Sequence, residues 1–289
     1  MDIEPIHIDE NFVRKFYPSR KKDSHKGENG KVLVVGGNWL YHGAPYIASL
    51  AALICGVDLV YVAVPKPISN AIRSMNPNLI VIPLPDYKFT KGSAQRLIKI
   101  MPEVDAILIG NGMGKGIIDG LKKFLTETSV KKIVLDADAL LPEVVNALSG
   151  SGKDFILTPH EGEFRRISNH VLSDKNFDEK VKVVMNFAKE KGATVLLKGP
   201  IDIITDSKEL YLNSTGNAGM TVGGTGDALA GLVTCLFSKG IKAVEASAIG
   251  AYVNGSAGDL ALKEKGLHFT ATDLINYYPE IMKKFDRLV

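Results

Sequence analysis

A glycine-rich loop that leads directly into a helix is the strongest chemical signal in this sequence. The pentapeptide GGTGD, residues 223–227, is followed at once by the helix-like run ALAGLVTCLF. Glycines let the backbone approach a ligand closely, and the free N–H groups at a helix N-terminus attract phosphate. Asp227 would lie in the first turn, where it could accept a proton from a substrate hydroxyl that attacks the phosphate. A simple N-terminal cap is the alternative role for Asp227.

Further candidate residues follow predicted strands. Lys198 comes directly after TVLL, so its ammonium group or the next backbone N–H could contact a nucleotide phosphate; a solvated lysine at a strand end is the alternative. His160 and Glu163, in the segment TPHEGEF, are three residues apart at a strand-to-helix junction and would share one side of a helix. The histidine could equally be a capping or core residue. Zinc is not indicated, because no third ligand recurs at a useful spacing.

Two acidic residues, Asp136 and Asp138, close another predicted strand within DADAL. One of them could orient a substrate, or both could cap the next helix. No stretch matches the P-loop pattern G-x-x-x-x-G-K-[ST], and the segment GNGMGKG lacks the spacing G-x-G-x-x-G. These absences disfavour a P-loop NTPase and a Rossmann dehydrogenase.

The elements that position these residues follow from the apolar pattern. Seven β-branched runs alternate with segments of helical periodicity, which predicts an α/β protein with a mostly parallel central sheet and helices on both faces. In such a sheet, ligands bind beyond the carboxyl ends of the strands, where the glycine-rich segments fall. IDIITD and ELYLN predict a small edge hairpin, and residues 226–263 predict two closely packed helices. The seven runs are KVLVVGG, VDLVYVAV, NLIVIP, DAILIG, KKIVLD, DFILTP and TVLLKG.

Composition excludes several classes of function. The 35 basic and 32 acidic residues give a net charge of +3 without a basic stripe, so a nucleic-acid partner is not expected. The apolar run from Tyr46 to Val64 is long enough for a membrane span, but Gly56 divides it and Asp58 would lie at the bilayer centre. We therefore expect a protein without a membrane partner.

The start of the chain and the cysteines suggest the cytoplasm. The segment MDIEPIHIDENFVRK has no apolar signal-peptide region. Cys55 and Cys235 lie in apolar helical contexts 180 residues apart, and we expect both to be reduced packing residues. We expect an N-terminal arm over residues 1–24 and a single domain over residues 25–289.

Together, the motifs resemble those of the ADP- or ATP-dependent NAD(P)H-hydrate dehydratases, a family of the ribokinase-like superfamily. The resemblance covers roughly residues 25–285, and TPHEGEF with GNAGMTVGGTGD distinguishes these dehydratases from the sugar, thiazole and pyridoxal kinases that share GGTGD. It implies a three-layer ribokinase-like fold. The matching segments are HKGENGKVLVVGGNWLYHGAP, DADAL, LTPHEGEF, LLKGP and NSTGNAGMTVGGTGDALAG.

The resemblance also implies roles for individual residues. Asp227 would be the catalytic base, and Glu163 would hold Mg²⁺ indirectly, through water. Pro200 and Ile201 depart from the family, which often has a polar residue after Lys-Gly. The implied substrate contacts are Ala44, Gly112, His160 and Asp227, and the implied nucleotide contacts are Lys198, Gly199, Pro200, Ile201, Asp202, Gly224, Thr225 and Gly226.

The implied reaction repairs the hydrated cofactors NADHX and NADPHX, with ADP or ATP as co-substrate, by phosphorylation of the ring hydroxyl followed by elimination of phosphate. ADP is favoured as donor, the S-epimer as substrate, and a homo-oligomer, such as a tetramer, as the assembly. One alternative is a ribokinase-like kinase that phosphorylates a small alcohol and stops. The other is a nucleotide-binding regulator that has lost catalysis.

Overall fold

An open ten-stranded sheet runs through the computed structural model, which describes residues 3–289. The order across the sheet is β1-β10-β9-β8-β7-β6-β5-β2-β3-β4. Only β9 runs antiparallel to its neighbours, so the predicted mostly parallel α/β sheet is confirmed. The strands are β1 (Ile6–His7), β2 (Lys31–Val35), β3 (Leu59–Pro65), β4 (Ile80–Leu84), β5 (Ala106–Ile109), β6 (Lys132–Leu135), β7 (Asp154–Leu157), β8 (Thr194–Leu197), β9 (Asp202–Thr205) and β10 (Leu210–Asn213).

Helices cover both faces of this sheet. One apolar core lies between the sheet and the layer that contains α2, α9 and α10, and a second lies between the sheet and α4–α8. The helices are α1 (Glu10–Phe16), α2 (Gly43–Ile54), α3 (Lys66–Met75), α4 (Lys91–Ile100), α5 (Ile118–Glu127), α6 (Pro142–Leu148), α7 (Glu161–Ser168), α8 (Phe177–Lys191), α9 (Thr225–Ser238), α10 (Ala243–Lys265), α11 (Ala271–Asn276) and α12 (Tyr278–Met282).

The apolar runs form the inner strands of the sheet because these strands are buried on both faces. Along β2, Val32 and Val34 enter the first core, whereas Leu33 and Val35 enter the second. Side chains alternate across a strand, so an unbroken apolar run satisfies both layers at once. The seven predicted strands correspond to β2 through β8.

The long apolar run forms α2 and then β3, with a turn at Gly56 that has a φ of 90°. This left-handed backbone conformation is readily adopted by glycine. No helix within residues 3–289 is long and apolar enough to cross a membrane. The interpretation of the run as a buried helix followed by a buried strand is confirmed.

Helices α2 and α9 pack closely enough to link their cysteines. A Cβ atom at Gly231 of α9 would collide with the backbone carbonyl of Ala48 in α2. Cys55, which ends α2, and Cys235 of α9 form a disulfide whose Cα atoms are 6.4 Å apart. The expectation of two reduced thiols is therefore wrong. Their separation of 180 residues carried no signal of the pairing, which depends on how the two helices pack.

The beginning of the chain contributes to both the sheet and the core. The predicted hairpin forms from β9 and β10, but it is not at the edge of the sheet, because β1 pairs in parallel with β10 outside it. On α1, Phe12 and Val13 are buried in the core beside α10. The division into an arm over residues 1–24 and a domain over residues 25–289 stays a prediction.

Candidate active site

Asp227 lies in the first turn of α9, the helix that follows the glycine loop. The N-cap is Gly224, whose φ of 98° lies in the left-handed region, and a Cβ atom there would come within 2.9 Å of Ile47 and Ala271. Glycine is therefore needed at this position for both conformation and space. Burial, and then the charge of Asp136, raise the pKa of Asp227 to about 7. A carboxylate of this pKa is suited to accept a proton near neutral pH.

The side-chain amide of Asn111 joins Asp227 to a second carboxylate. Its Nδ2 donates to Asp227 Oδ1 at 2.6 Å and to Asp136 Oδ2 at 2.8 Å. Its Oδ1 is buried and has no hydrogen-bond partner within residues 3–289. A buried, unpaired amide oxygen is costly, so a bound ligand that donates a hydrogen bond here would be stabilised.

Asp136 is the buried centre of this polar network. Its Oδ1 accepts a hydrogen bond from Thr158 Oγ1 at 2.7 Å and lies 3.3 Å from Lys198 Nζ. Although Asp136 precedes a short 3₁₀ turn, its side chain does not cap it, and the N-cap of α6 is Leu141. Asp138 instead accepts from the backbone N–H of Gly114 at 2.8 Å. Capping of the next helix is therefore the wrong role for both aspartates.

Lys198 provides the positive charge of the site. Its Nζ lies between Asp136 and Glu163 Oε2, which is 3.8 Å away. Burial by itself would lower the pKa of Lys198, but the carboxylates of Asp136, Glu163 and Asp227 hold it above its ordinary value. The ammonium group therefore stays charged at neutral pH and can attract a phosphate. A fully solvated lysine is excluded, because its side chain is only 21% exposed.

His160 and Glu163 form a reciprocal cap at the start of α7. Nδ1 of His160 accepts from the N–H groups of Gly162 and Glu163, while Glu163 Oε2 accepts from the His160 N–H at 2.9 Å. Because Nδ1 accepts, the proton of the neutral imidazole lies on Nε2. The histidine ring is 59% exposed, so Nε2 can donate to a ligand. His160 is both a cap and an accessible donor.

The predicted nucleotide-binding residues lie on two adjoining segments. A Cβ atom at Gly226 would lie 3.3 Å from Lys198 Nζ, which brings the glycine loop beside the lysine. The hydroxyl of Thr225 donates to the carbonyls of Met220 and Val222, so its side chain braces the loop. The segment Gly199–Ile201, where Pro200 and Ile201 depart from the family, is exposed.

Asp202 braces the second of these segments. Its carboxylate accepts from the N–H of Gly199 at 3.0 Å and from Asn213 Nδ2 at 2.9 Å. Burial raises the pKa of Asp202, although both hydrogen bonds oppose that rise. The side chain therefore holds the loop after β8 in shape.

Two predicted substrate-binding residues, Ala44 and Gly112, lie against each other next to Asn111. A Cβ atom at Gly112 would lie 3.0 Å from the Cβ of Ala44 and from the carbonyl oxygen of Tyr41. This close approach explains the glycine, and it places the start of α2 directly beside the residue that follows Asn111. The geometry therefore brings the predicted residues to one edge of the sheet.

Comparison with known proteins identifies the family of this chain. Residues 32–280 match the family model described as NAD(P)H-hydrate dehydratase. The chain belongs to that family. Over 285 residues it is 46% identical to the ADP-dependent (S)-NAD(P)H-hydrate dehydratase of Cenarchaeum symbiosum, covering 97% of this chain and 98% of the relative.

Solved structures extend the likeness of this NAD(P)H-hydrate dehydratase family member to the fold. The ADP/ATP-dependent NAD(P)H-hydrate dehydratase from Bacillus subtilis, co-crystallised with ATP and Mg²⁺, is 23% identical, with a TM-score of 0.83 and coverage of 99% of both chains. A hydroxyethylthiazole kinase from Pyrococcus horikoshii is 17% identical, with a TM-score of 0.62 and coverage of 89% of this chain and 92% of the kinase. The fold is therefore ribokinase-like, as the resemblance implied.

Sequence reasoning missed two side chains in this dehydratase family member. Asn111 and Thr158 both contact Asp136, and both are fully buried. Asn111 lies within the segment GNGMGKG and Thr158 within TPHEGEF, both of which follow predicted strands. Thr158 directly follows β7 and Asn111 comes two residues after β5, so a polar residue close to the end of a buried strand was the available signal.

Proposed function

We propose that this protein dehydrates (S)-NAD(P)HX to NAD(P)H in an ADP-dependent cofactor-repair reaction. The observation that carries the proposal is the contact of Asp227 with Asn111, beside Asp136 and Lys198, in a chain of the dehydratase family. ADP is favoured as the donor because the relative that is 46% identical is named ADP-dependent.

The first step transfers a phosphoryl group to the ring hydroxyl. Asp227 takes the hydroxyl proton while the oxygen attacks the terminal phosphorus of ADP, and AMP leaves. Lys198 and the N–H groups of Gly223–Gly226 stabilise negative charge on the transferring group. Substrate contacts at Ala44, Gly112 and His160 position the ring for the attack.

The second step removes the phosphorylated oxygen. Hydroxide leaves poorly, whereas phosphate leaves readily. The ring nitrogen donates its electron pair as the carbon–oxygen bond breaks, and the neighbouring carbon then loses a proton. The products are NAD(P)H, AMP and phosphate, so the atoms of the hydrate and of ADP are accounted for.

Mg²⁺ fits this site as a companion of the nucleotide. Within residues 3–289, no three metal-ligating side chains cluster, so the protein alone does not form a complete cage. Mg²⁺ commonly keeps several waters and binds through one or two carboxylates and phosphate oxygens. Glu163, close to Lys198, would hold it through water. When bound, the ion neutralises charge on the phosphates.

The remaining parts of the proposal concern the setting of the enzyme. We assign it to the cytoplasm as a homo-oligomer, with a tetramer as the expected assembly. We assign it no membrane or nucleic-acid partner. Light scattering of the purified protein measures the assembly: a mass near four times 31.2 kDa supports the tetramer, and a monomer contradicts it.

The test is incubation of the purified protein with NADHX, Mg²⁺ and either ADP or ATP. Recovery of the dihydronicotinamide absorbance supports the dehydratase. A stable phosphorylated alcohol without that recovery would instead indicate a small-molecule kinase. Binding of both ligands without turnover would indicate a regulator, and would overturn the proposal.

A further inference from the structure

Three consecutive large apolar side chains are exposed in the loop between β2 and α2. Trp39 is 67% exposed, Leu40 is 53% exposed and Tyr41 is 54% exposed. Single exposed apolar residues are ordinary on a protein surface, but contiguous apolar patches mark binding sites. Trp39 is also the only tryptophan in the chain.

The loop is held in place from below by a buried side chain. Asn38 is 8% exposed, and its Oδ1 accepts from the N–H groups of Leu40 and Tyr41 at 2.7 and 3.0 Å. Its Nδ2 lies 2.7 Å from where a Cβ atom of Gly114 would be. The three exposed side chains therefore extend from a fixed turn that rests on the glycine segment after β5.

That fixed turn adjoins the candidate active site. The carbonyl oxygen and Cβ of Tyr41 lie 3.0 Å from where a Cβ atom of Gly112 would be, and Gly112 follows Asn111, which contacts Asp227. Asn111 and Asp136 thus lie between this turn and Lys198.

Sheet order separates the turn from the nucleotide segment. Strands β5, β6 and β7 lie between β2 and β8. Four strand spacings of ~4.8 Å place the ends of β2 and β8 about 19 Å apart. A nucleotide whose phosphates reach Lys198 therefore lies near the end of β8. The turn after β2 can then contact the other ligand, the substrate that carries the hydroxyl.

The two halves of that substrate differ in how they can contact an aromatic side chain. The hydrated nicotinamide ring has several saturated carbons and is puckered, whereas the adenine at the other end is flat and aromatic. Flat bases stack on tryptophan and tyrosine without further specific contacts.

We infer that Trp39 stacks on the adenine of NAD(P)HX and, with Tyr41, forms a specificity-determining clamp for the dinucleotide. This inference rests on the proposed function. In this assignment the stack is made by the adenine half and not by the reacting ring, so it contributes to substrate affinity, and its loss raises KM and leaves kcat nearly unchanged.

The kinetic test compares two variants at Trp39 with a control. Trp39→Ala is expected to raise KM for NADHX by about 5- to 150-fold, the range of a single base–aromatic stack. Trp39→Phe keeps a flat ring and is expected to retain most of the affinity. Leu288→Ala serves as the matched control, because Leu288 is 65% exposed and pairs with Arg20 near the C-terminus. It should leave both constants unchanged.

A truncated substrate locates the contact. Hydrated nicotinamide mononucleotide lacks the adenosine half, so wild type and Trp39→Ala should show the same KM for it. An equal rise in KM for both substrates would place Trp39 at the ring and overturn the assignment to adenine. Unchanged KM for NADHX in Trp39→Ala would overturn the clamp altogether.

Fluorescence separates failure of this inference from failure of the proposed function. Titration of the wild-type enzyme with NADHX should quench the emission of Trp39, whereas the truncated substrate should leave it unchanged. If the wild-type enzyme dehydrates NADHX without quenching, the clamp is wrong and the function stands. If no dehydration occurs, the proposed function fails instead. Dissociation of the oligomer in Trp39→Ala would identify the loop as a subunit contact and overturn the clamp.

Discussion

Replacing Asp227 by asparagine should separate catalysis from folding. In the proposed mechanism, Asp227 takes the proton of the ring hydroxyl, and one general base typically contributes about 10² to 10⁴-fold to the rate. Asparagine keeps an oxygen for the 2.6 Å hydrogen bond from Asn111 but cannot accept the proton. We therefore expect kcat to fall by about 10² to 10⁴-fold, with little change in the affinity for either ligand.

The same substitution should stabilise the protein above neutral pH. Burial and the charge of Asp136 raise the pKa of Asp227 from 3.8 to about 7. Because this pKa is raised in the folded state, the contribution of Asp227 to the free energy of unfolding is greatest below pH 3.8. It falls as the pH rises toward about 7 and stays low above that pH. A difference of about three pKa units corresponds to about 4 kcal/mol. Asparagine removes this loss because it does not ionise.

Thermal unfolding of wild type and Asp227→Asn across pH tests this expectation. With about 2 cal/mol/K of unfolding entropy per residue over 289 residues, 4 kcal/mol corresponds to a Tm rise of about 7 °C at pH 8. The rise should vanish near pH 3. Asp119→Asn serves as the control, because Asp119 forms an exposed ion pair with Lys91. A destabilised Asp227→Asn that retains activity would show that Asp227 has only a structural role and would refute the reasoning.

Three further substitutions test other parts of the site and fold. Lys198→Met should raise the KM for ADP by about 10- to 150-fold, since it removes a charge-assisted phosphate contact; steady-state kinetics measure this rise. Glu163→Gln should require several-fold more Mg²⁺ for half-maximal activity, with the KM for NADHX unchanged, in a Mg²⁺ titration. Cys55→Ser removes the disulfide with Cys235 and should lower the free energy of unfolding by about 2–5 kcal/mol in denaturant titrations without reductant, with turnover unchanged. Normal constants in the first two variants, or equal stability in the third, would contradict these roles.

The sequence predicts most of the sheet because burial on both faces leaves a plain signal. Runs such as VLVV in β2 are apolar at every position, and a glycine directly after β2 and after β5 marks where these strands end. Residues directly after these strands meet at one edge, so the position of Lys198 after β8 follows from the strand pattern, whereas Asp227 is predicted from the glycine loop GGTGD. The short β1 pairs over only two residues and has no comparable pattern.

Contacts between distant segments could not be predicted in this way. The amide of Asn111 joins two carboxylates from different parts of the chain, and no local pattern specifies its rotamer. Pairing of Cys55 with Cys235 depends on the approach of α2 to α9, which the small residues Ala48 and Gly231 permit. Each of these features depends on tertiary packing.

The central claim is that the ring hydroxyl of the hydrate attacks the terminal phosphoryl group of the nucleotide. The most direct test supplies NADHX whose ring hydroxyl carries a heavy oxygen isotope and analyses the released phosphate by mass spectrometry. Our account predicts one labelled oxygen in each phosphate and none in AMP. Label that appears in water, with unlabelled phosphate, would contradict it.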